Sequence, residues 1–105
     1  MKITEVKIYP AKESGTRLKA YATIVFENAF IVRDLKVIEG EKGLFVSMPS
    51  RRRKDGSFRD IAHPLNGDMR KHIEESIINE YKSLEKSGRL NAASSESDDY
   101  SFDNN

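Results

Sequence analysis

The densest group of ionisable side chains in this 105-residue chain lies in the segment SRRRKDGSFR, residues 50–59. Its cations are Arg51, Arg52, Arg53, Lys54 and Arg59. A guanidinium is always charged, and its planar fork of donors matches phosphate oxygens or the O6/N7 edge of guanine. Ser50 and Ser57 can donate neutral hydrogen bonds to phosphate, whereas Asp55 is the one acid in the segment. The segment therefore predicts a polyanion-binding loop, and the alternative is a solvated charged loop.

Cations outside this segment can extend the same site. Arg70 and Lys71 lie in the first turns of a predicted helix, where the helix dipole disfavours positive charge. Their placement indicates either phosphate contact or pairing with Asp68 or Glu74. Three further bases either extend the patch or are ordinary surface charges, namely Arg17, Lys19 and Lys36.

Two aromatic residues, Phe45 and Phe58, flank the basic segment. Either ring can stack on unpaired bases, but core packing is the interpretation adopted for Phe58. Tyr9 and Tyr21 present the same choice between stacking and covering a neighbouring strand. The predicted strands lack the aromatic motif of an RNA-recognition module, so no such module is predicted.

A hydrolase would require a base such as His63, oriented by Asp60, beside a serine nucleophile. No nucleophile elbow, glycine-rich phosphate loop or paired metal-ligand motif accompanies these residues. We therefore predict no catalytic residue, no cofactor and no small-molecule substrate, and we interpret His63 as a structural residue that donates to a backbone carbonyl. Two histidines and no cysteine exclude thiolate sites and disulfides and argue against zinc.

Length and composition predict one small domain. The hydrophobic fraction is 37% and the charged fraction 33%, and a domain of this size buries only about 60–65% of its unfolded surface. Pairing of two copies would complete such a core. The charged N-terminus does not resemble a signal peptide, and no apolar run approaches the roughly 18 residues of a membrane span. We expect a cytoplasmic protein with no membrane association.

Charge is distributed unevenly along the chain. Residues 1–90 hold all 18 bases and 13 acids, a net charge of +5, while residues 91–105 hold four acids and no base, a net charge of −4. The final segment is rich in Ser, Asn and Asp, and it cannot bury enough surface to offset the entropy of ordering it. We predict a folded domain over residues 1–88 and a disordered acidic tail over residues 89–105.

The first two-thirds of the chain predicts strands. Apolar residues alternate from Leu18 to Phe26, which is the period of a strand with one buried face. The alternation resumes after a tight connection at residues 28–29 but slips by one position near Arg33 and Asp34, which predicts a β-bulge. An Asp-Gly turn at residues 55–56 predicts a hairpin. The predicted strands cover residues 2–9, 18–26, 30–37, 44–48 and 58–62.

A helix follows the strands. Asn66 is a suitable N-cap, Asp68 suits the first turn, and Gly88 is the predicted stop. An apolar stripe recurs at helical spacing and is wide enough to bury against a sheet. Its members are Leu65, Met69, Ile73, Ile77, Tyr81 and Leu84. The predicted fold class is α+β, an antiparallel β-meander of about five strands with a C-terminal amphipathic helix packed on it, expected to form dimers.

The segment from Asp34 to Ile77 reads DLKVIEGEKGLFVSMPSRRRKDGSFRDIAHPLNGDMRKHIEESI. It resembles the core of the SpoVG (stage V sporulation protein G) family, whose pattern includes G-L-F-V-x-M-P-S, a basic run and D-G-x-F-R-D-I-A-H-P. The resemblance extends from the N-terminus to about Leu84, roughly four-fifths of the chain. Two departures are visible: Lys36 stands where the family often has Arg, and the basic run is denser.

The resemblance implies a small bacterial α+β protein that forms homodimers and binds DNA, and in some members RNA. It also implies roles in gene regulation, sporulation and septum formation during cell division. Together with the basic segment it predicts a nucleic-acid-binding regulator rather than an enzyme. The predicted contacts are Ser50, Arg51, Arg52, Arg53, Lys54, Arg59, Arg70 and Lys71. The alternative is a protein-interaction module whose basic loop binds an acidic partner and whose polyanion binding is incidental.

Overall fold

The computed structural model describes residues 1–11 and 16–88. The predicted acidic tail, residues 89–105, lies outside the described residues. The elements are β1 (Ile3–Pro10), β2 (Leu18–Phe26), β3 (Phe30–Gly40), β4 (Gly43–Ser47), β5 (Ser50–Arg52), β6 (Phe58–Asp60) and α1 (Gly67–Ser87).

The strands form two separate sheets. β1 to β4 make a four-stranded antiparallel meander in sequence order, while β5 and β6 make a two-stranded sheet. The predicted α+β class, with an antiparallel meander and a C-terminal helix, is confirmed. The last predicted strand does not join the meander, because Pro49 follows β4 and cannot donate to a strand ladder. The chain leaves the main sheet there, and β6 pairs with β5 instead.

The predicted bulge lies in β3. Ala22 pairs with Leu35 and Ile24 pairs with Val32, so Arg33 and Asp34 together oppose a single residue of β2. Asp34 has a φ of 66°, in the left-handed region that Asp tolerates better than most residues. The extra residue shifts the alternation and returns the apolar side chains after it to the buried face of the sheet. The phase change in the sequence is therefore confirmed as a bulge.

The core lies between α1 and one face of the meander. Ile73, Ile77 and Tyr81 are buried on the inner side of the helix. Their partners on the sheet are Ile8, Ala20, Ala22, Ile24, Phe26, Leu35, Val37 and Val46, with Met48 just beyond β4. Leu65, the predicted first member of the helical stripe, is 92% exposed. That prediction is wrong because the helix begins at Gly67, so Leu65 precedes it and does not share its phase.

Both predicted helix boundaries are confirmed. The Asn66 side chain accepts a hydrogen bond from the backbone N–H of Met69 at 2.8 Å, as an N-cap does. Gly88 adopts a φ of 77°, and its N–H bonds to the carbonyls of Glu85 and Leu84. Only a residue without Cβ adopts this left-handed conformation at little cost. The caps set where α1 starts and stops against the sheet.

Removal of the N-cap should destabilise the domain. We expect Asn66→Ala to lower the free energy of unfolding by about 1 kcal/mol, because the Met69 N–H loses its acceptor. Asn79→Ala is the matched control, since Asn79 is exposed in mid-helix and Ala is the better helix former, by up to about 0.7 kcal/mol. Urea unfolding followed by circular dichroism measures both. Equal stabilities for the two variants would contradict a structural role for this cap.

Candidate nucleic-acid interface

The basic segment forms a short hairpin, residues 50–60, called here the basic hairpin. Ser50 pairs with Asp60, Arg51 with Arg59, and Arg52 with Phe58. The backbone N–H of Arg53 donates to the Ser57 carbonyl at 2.6 Å, and the Gly56 N–H donates to the Arg53 carbonyl at 3.0 Å. Gly56 has a φ of 91°, which confirms the predicted Asp-Gly turn.

The base of the hairpin is closed by one backbone contact. The N–H of Ile61 donates to the Pro49 carbonyl at 2.7 Å, so the chain returns beside the point where it left β4. Pro49 is buried and lines an apolar cavity of about 180 Å³ together with Met48, Met69 and Ile73. The hairpin therefore begins directly after a residue that lines this cavity. The sequence identified the turn but not this attachment, because nothing in the strand pattern marks Ile61 as the partner of Pro49.

The cations of the hairpin divide between its two faces. Side chains alternate along a strand and directly paired residues share a face. Arg51 and Arg59 therefore lie on one face, while Arg52 and Phe58 lie on the other. Arg53 lies beyond the end of β5 and begins the turn. Lys54 lies in the turn itself.

The positive charge of the hairpin is not neutralised within the described part of the chain. All residues from 51 to 60 are exposed. Among residues 1–11 and 16–88, no hydrogen bond or ion pair engages the side chains of Arg51, Arg52, Arg53, Lys54 and Arg59. Arg51 and Arg59 are direct cross-strand partners, and like charges in that arrangement repel. An anion between the two guanidinium groups would relieve the repulsion.

Asp55 organises the turn instead of pairing with a cation. Its Oδ1 accepts hydrogen bonds from the Ser57 hydroxyl at 2.6 Å and from the Ser57 N–H at 2.9 Å. These bonds, the side-chain bond first, lower the pKa of Asp55 below its ordinary value, because they stabilise the charged carboxylate. The Ser57 hydroxyl that the sequence offered to phosphate is thus already donated to Asp55.

Phe58 is 67% exposed, whereas Phe45 is 43% exposed. The assignment of Phe58 to the core is wrong, because the hairpin lies apart from the meander and α1 does not cover it. Phe45 pairs with Ile38, on the face of the meander opposite the buried Val37 and Val46. Only Phe58 therefore lies among the arginines.

The remaining predicted contacts follow, in the sequence, residues that line the cavity. Ser50 is half-buried at the start of β5. Arg70 and Lys71 are exposed in the first two turns of α1 and follow Met69, which lines the same cavity as Pro49. The first turn of the helix and the root of the hairpin thus lie on the same cavity.

Two of the bases considered as extensions of the patch are engaged elsewhere. The Arg17 Nε donates to the Glu39 carbonyl at 3.1 Å, and the Lys19 Nζ lies 3.5 Å from the Glu39 carboxylate. Lys36 lies on β3, with Tyr21 and Ser47 as its cross-strand partners. Arg17 and Lys19 thus have ordinary structural contacts at the Glu39 end of the sheet.

His63 has the structural contact expected of it. Its Nδ1 lies 2.9 Å from the carbonyl oxygen of Pro64. Within residues 1–11 and 16–88, His, Asp and Glu side chains form no group of three able to hold a metal ion. In the same ranges, no helix has the length and apolar character that crossing a membrane requires.

The family relationship follows from comparison with known proteins. The SpoVG family model matches residues 1–83. The chain belongs to the SpoVG family. A relative from Bdellovibrio bacteriovorus is 59% identical over 87 residues, which are 83% of this chain and 79% of the relative. One from Acholeplasma laidlawii is 58% identical over 82 residues, 78% and 86% of the two chains. One from Anaeromyxobacter sp. (strain K) is 50% identical over 99 residues, 93% and 96%.

The turn of this SpoVG-family hairpin should respond to pH through Asp55. Because its pKa is lowered in the folded chain, its bonds stabilise the turn at neutral pH, and this contribution is lost as the pH falls through the lowered pKa. We expect Ser57→Ala to raise the pKa of Asp55 toward its ordinary value, as measured by carbon-detected NMR titration. Ser83→Ala, an exposed change on α1, should leave it unchanged. An unaltered pKa in Ser57→Ala would contradict the assigned cause.

Proposed function

We propose that this chain is a cytoplasmic, non-catalytic regulatory protein that binds DNA, and also RNA, through the basic hairpin. The observation that carries the proposal is the cross-strand pair Arg51 and Arg59, which share one face of the hairpin and have no acidic partner among the described residues. A phosphate group placed against both would accept charge-assisted hydrogen bonds from two planar donor forks. Arg52, Arg53 and Lys54 add positive charge along the path of the backbone.

The biological role is proposed from the family relationship. The three relatives described above each carry the name "Putative septation protein SpoVG". We propose a corresponding role in septation, sporulation and control of gene expression. Nucleic-acid binding at the hairpin is the molecular activity through which this role is exerted.

The electrostatic mechanism makes a quantitative prediction. If four or five cations per chain release counterions from nucleic acid, the log–log slope of affinity against salt is roughly −4 per protomer and about twice that for a dimer. We expect the variant with Arg51, Arg52 and Arg53 changed to Ala to lose most affinity and to flatten this slope. Gel shift across a salt series measures both quantities. A flat salt response of the unaltered protein would contradict the mechanism.

A matched control separates local from overall charge. Changing Lys42, Lys82 and Lys86 to Ala removes three exposed cations outside the hairpin and should leave the affinity within about threefold, since distant charges are screened within about 10 Å. The same triple-arginine variant tests the rival function, in which the hairpin binds an acidic protein. Loss of nucleic-acid affinity with an intact cellular phenotype would favour that rival.

We further propose that two copies pair through the cavity beside the hairpin. Four large apolar side chains, Met1, Phe30, Ile61 and Leu65, lie at the cavity or beside its lining residues and are each about two-thirds exposed or more. Exposed apolar side chains grouped in this way mark interaction surfaces on soluble proteins. A standard interface buries about 800 Å² per partner, and more than half of that area is apolar.

The shape of this end of the molecule favours a second copy over a nucleobase as the occupant. A cavity of about 150 Å³ accommodates a benzene ring, so the cavity of about 180 Å³ can receive one apolar side chain. Its lining is almost wholly apolar, and a base would lose hydrogen bonds there without replacement. An exposed Leu65 near a cavity that can receive an apolar side chain is self-complementary, as the surfaces of a two-fold interface are. Such a contact also brings two basic hairpins close together.

Disruption of this contact should produce monomers without unfolding. We expect Leu65→Glu to halve the mass of a dimeric wild type in sedimentation equilibrium, because it introduces a charge into the apolar contact. The side chain is 92% exposed in the single chain, so the fold should persist by circular dichroism. Phe45→Glu, on the outer face of the meander, is the matched control and should stay dimeric. A monomeric wild type, or a dimeric variant with both Ile61 and Leu65 changed to Glu, would overturn the pairing.

A further inference from the structure

We propose that Phe58 stacks on an unpaired base and thereby directs the basic hairpin to single-stranded nucleic acid. This inference rests on the proposed function and names the form of polymer that the same site prefers. Phe58 is 67% exposed and lies on a hairpin that contributes no residue to the core cluster. An aromatic ring that contributes nothing to the core and sits within a cationic hairpin suits a ligand that is both anionic and aromatic.

The strand register places the ring beside a guanidinium. Phe58 is the direct cross-strand partner of Arg52, so the Cβ atoms of the two residues are about 4.5–5.5 Å apart on one face. Both a phenyl ring and a planar guanidinium stack on bases. A base that packs on Phe58 is therefore within reach of Arg52. The pair forms a stacking site on the face opposite Arg51 and Arg59.

The two faces suit a flexible strand better than a duplex. Arg51 and Arg59 offer phosphate contacts on one face, and Arg52 with Phe58 offers stacking on the other. In a single strand, the bases can turn away from the backbone and contact an aromatic side chain while neighbouring phosphates contact cations. In a duplex, both faces of each internal base are already stacked. Phe58 would then have to be inserted as a wedge.

Insertion as a wedge is disfavoured by the size of the hairpin. Insertion of a wedge unstacks a base step, and this cost must be offset by the extra protein surface that the bent duplex contacts. β5 and β6 have three residues each, and the hairpin is closed at its base by the bond between Ile61 and Pro49. Such an element offers little additional surface for a bent duplex. Stacking on a base that is already unpaired does not disrupt a base step, so there is no such cost to offset.

The decisive experiment compares single-stranded and duplex DNA of the same length and ionic strength. We expect Phe58→Ala to weaken binding of the single strand by roughly 5- to 150-fold, the range for loss of one stacked base, and to leave duplex affinity within about twofold. Phe58→Trp should restore single-strand binding. Phe45→Ala is the matched control, because Phe45 is also exposed and also flanks the basic segment. This variant should keep the wild-type affinity for both single-stranded and duplex DNA.

A direct optical readout of stacking is available because the chain contains no tryptophan. Phe58→Trp creates a single reporter, and we expect oligo(dT) to quench its fluorescence, whereas the reporter in Phe45→Trp should be unaffected. Equal loss of single-strand and duplex affinity in Phe58→Ala would overturn the inference in favour of a wedge. Unchanged affinities in that variant would also overturn it while leaving the proposed function intact. Failure of the wild type to bind either polymer would instead remove the proposed function.

Discussion

One helix packed against one face of a four-stranded sheet is the contact on which the rest of the structure depends. Ile77 is fully buried there, with Ile73 and Tyr81 on the same side of α1. The described part of the chain has no further layer to cover the other face or the open end of the sheet, as expected for so short a chain. Apolar side chains therefore remain exposed around Leu65, and the segment between β4 and α1 is available for a separate hairpin.

Local interactions hold the hairpin in place. Pro49 ends the pairing of β4, the contact between Ile61 and Pro49 closes the base, and the Asp55 carboxylate fixes the tip through Ser57. Residues 50–60 are absent from the core cluster, so the charges of the hairpin do not require burial and carry no desolvation penalty. A strongly cationic element can thus be attached to a small domain with little effect on the stability of its core.

The features that were predictable from the sequence are those with local causes. The bulge at Asp34 was visible because one extra residue changes the phase of an alternating pattern, and the cap at Asn66 because its chemistry acts within three residues. Phe58 and Leu65 were assigned to the core wrongly. Periodicity reports which residues share a face, whereas burial depends on which distant element covers that face. The cavity was not predictable at all, because six separate parts of the chain, from Met1 to α1, form it.

In the proposed binding mode, the two faces of the hairpin supply different kinds of interaction. Exposed like charges repel only weakly in water, so the cross-strand pair Arg51 and Arg59 is a small cost that a bound phosphate reverses. The attraction between the arginines and phosphate weakens as the salt concentration rises, because the release of counterions from the nucleic acid becomes less favourable. Stacking on Phe58 involves no ion release and is retained when salt rises. Affinity and selectivity are therefore separable: salt lowers the overall affinity, whereas the contribution of stacking to the preference for single strands stays nearly constant.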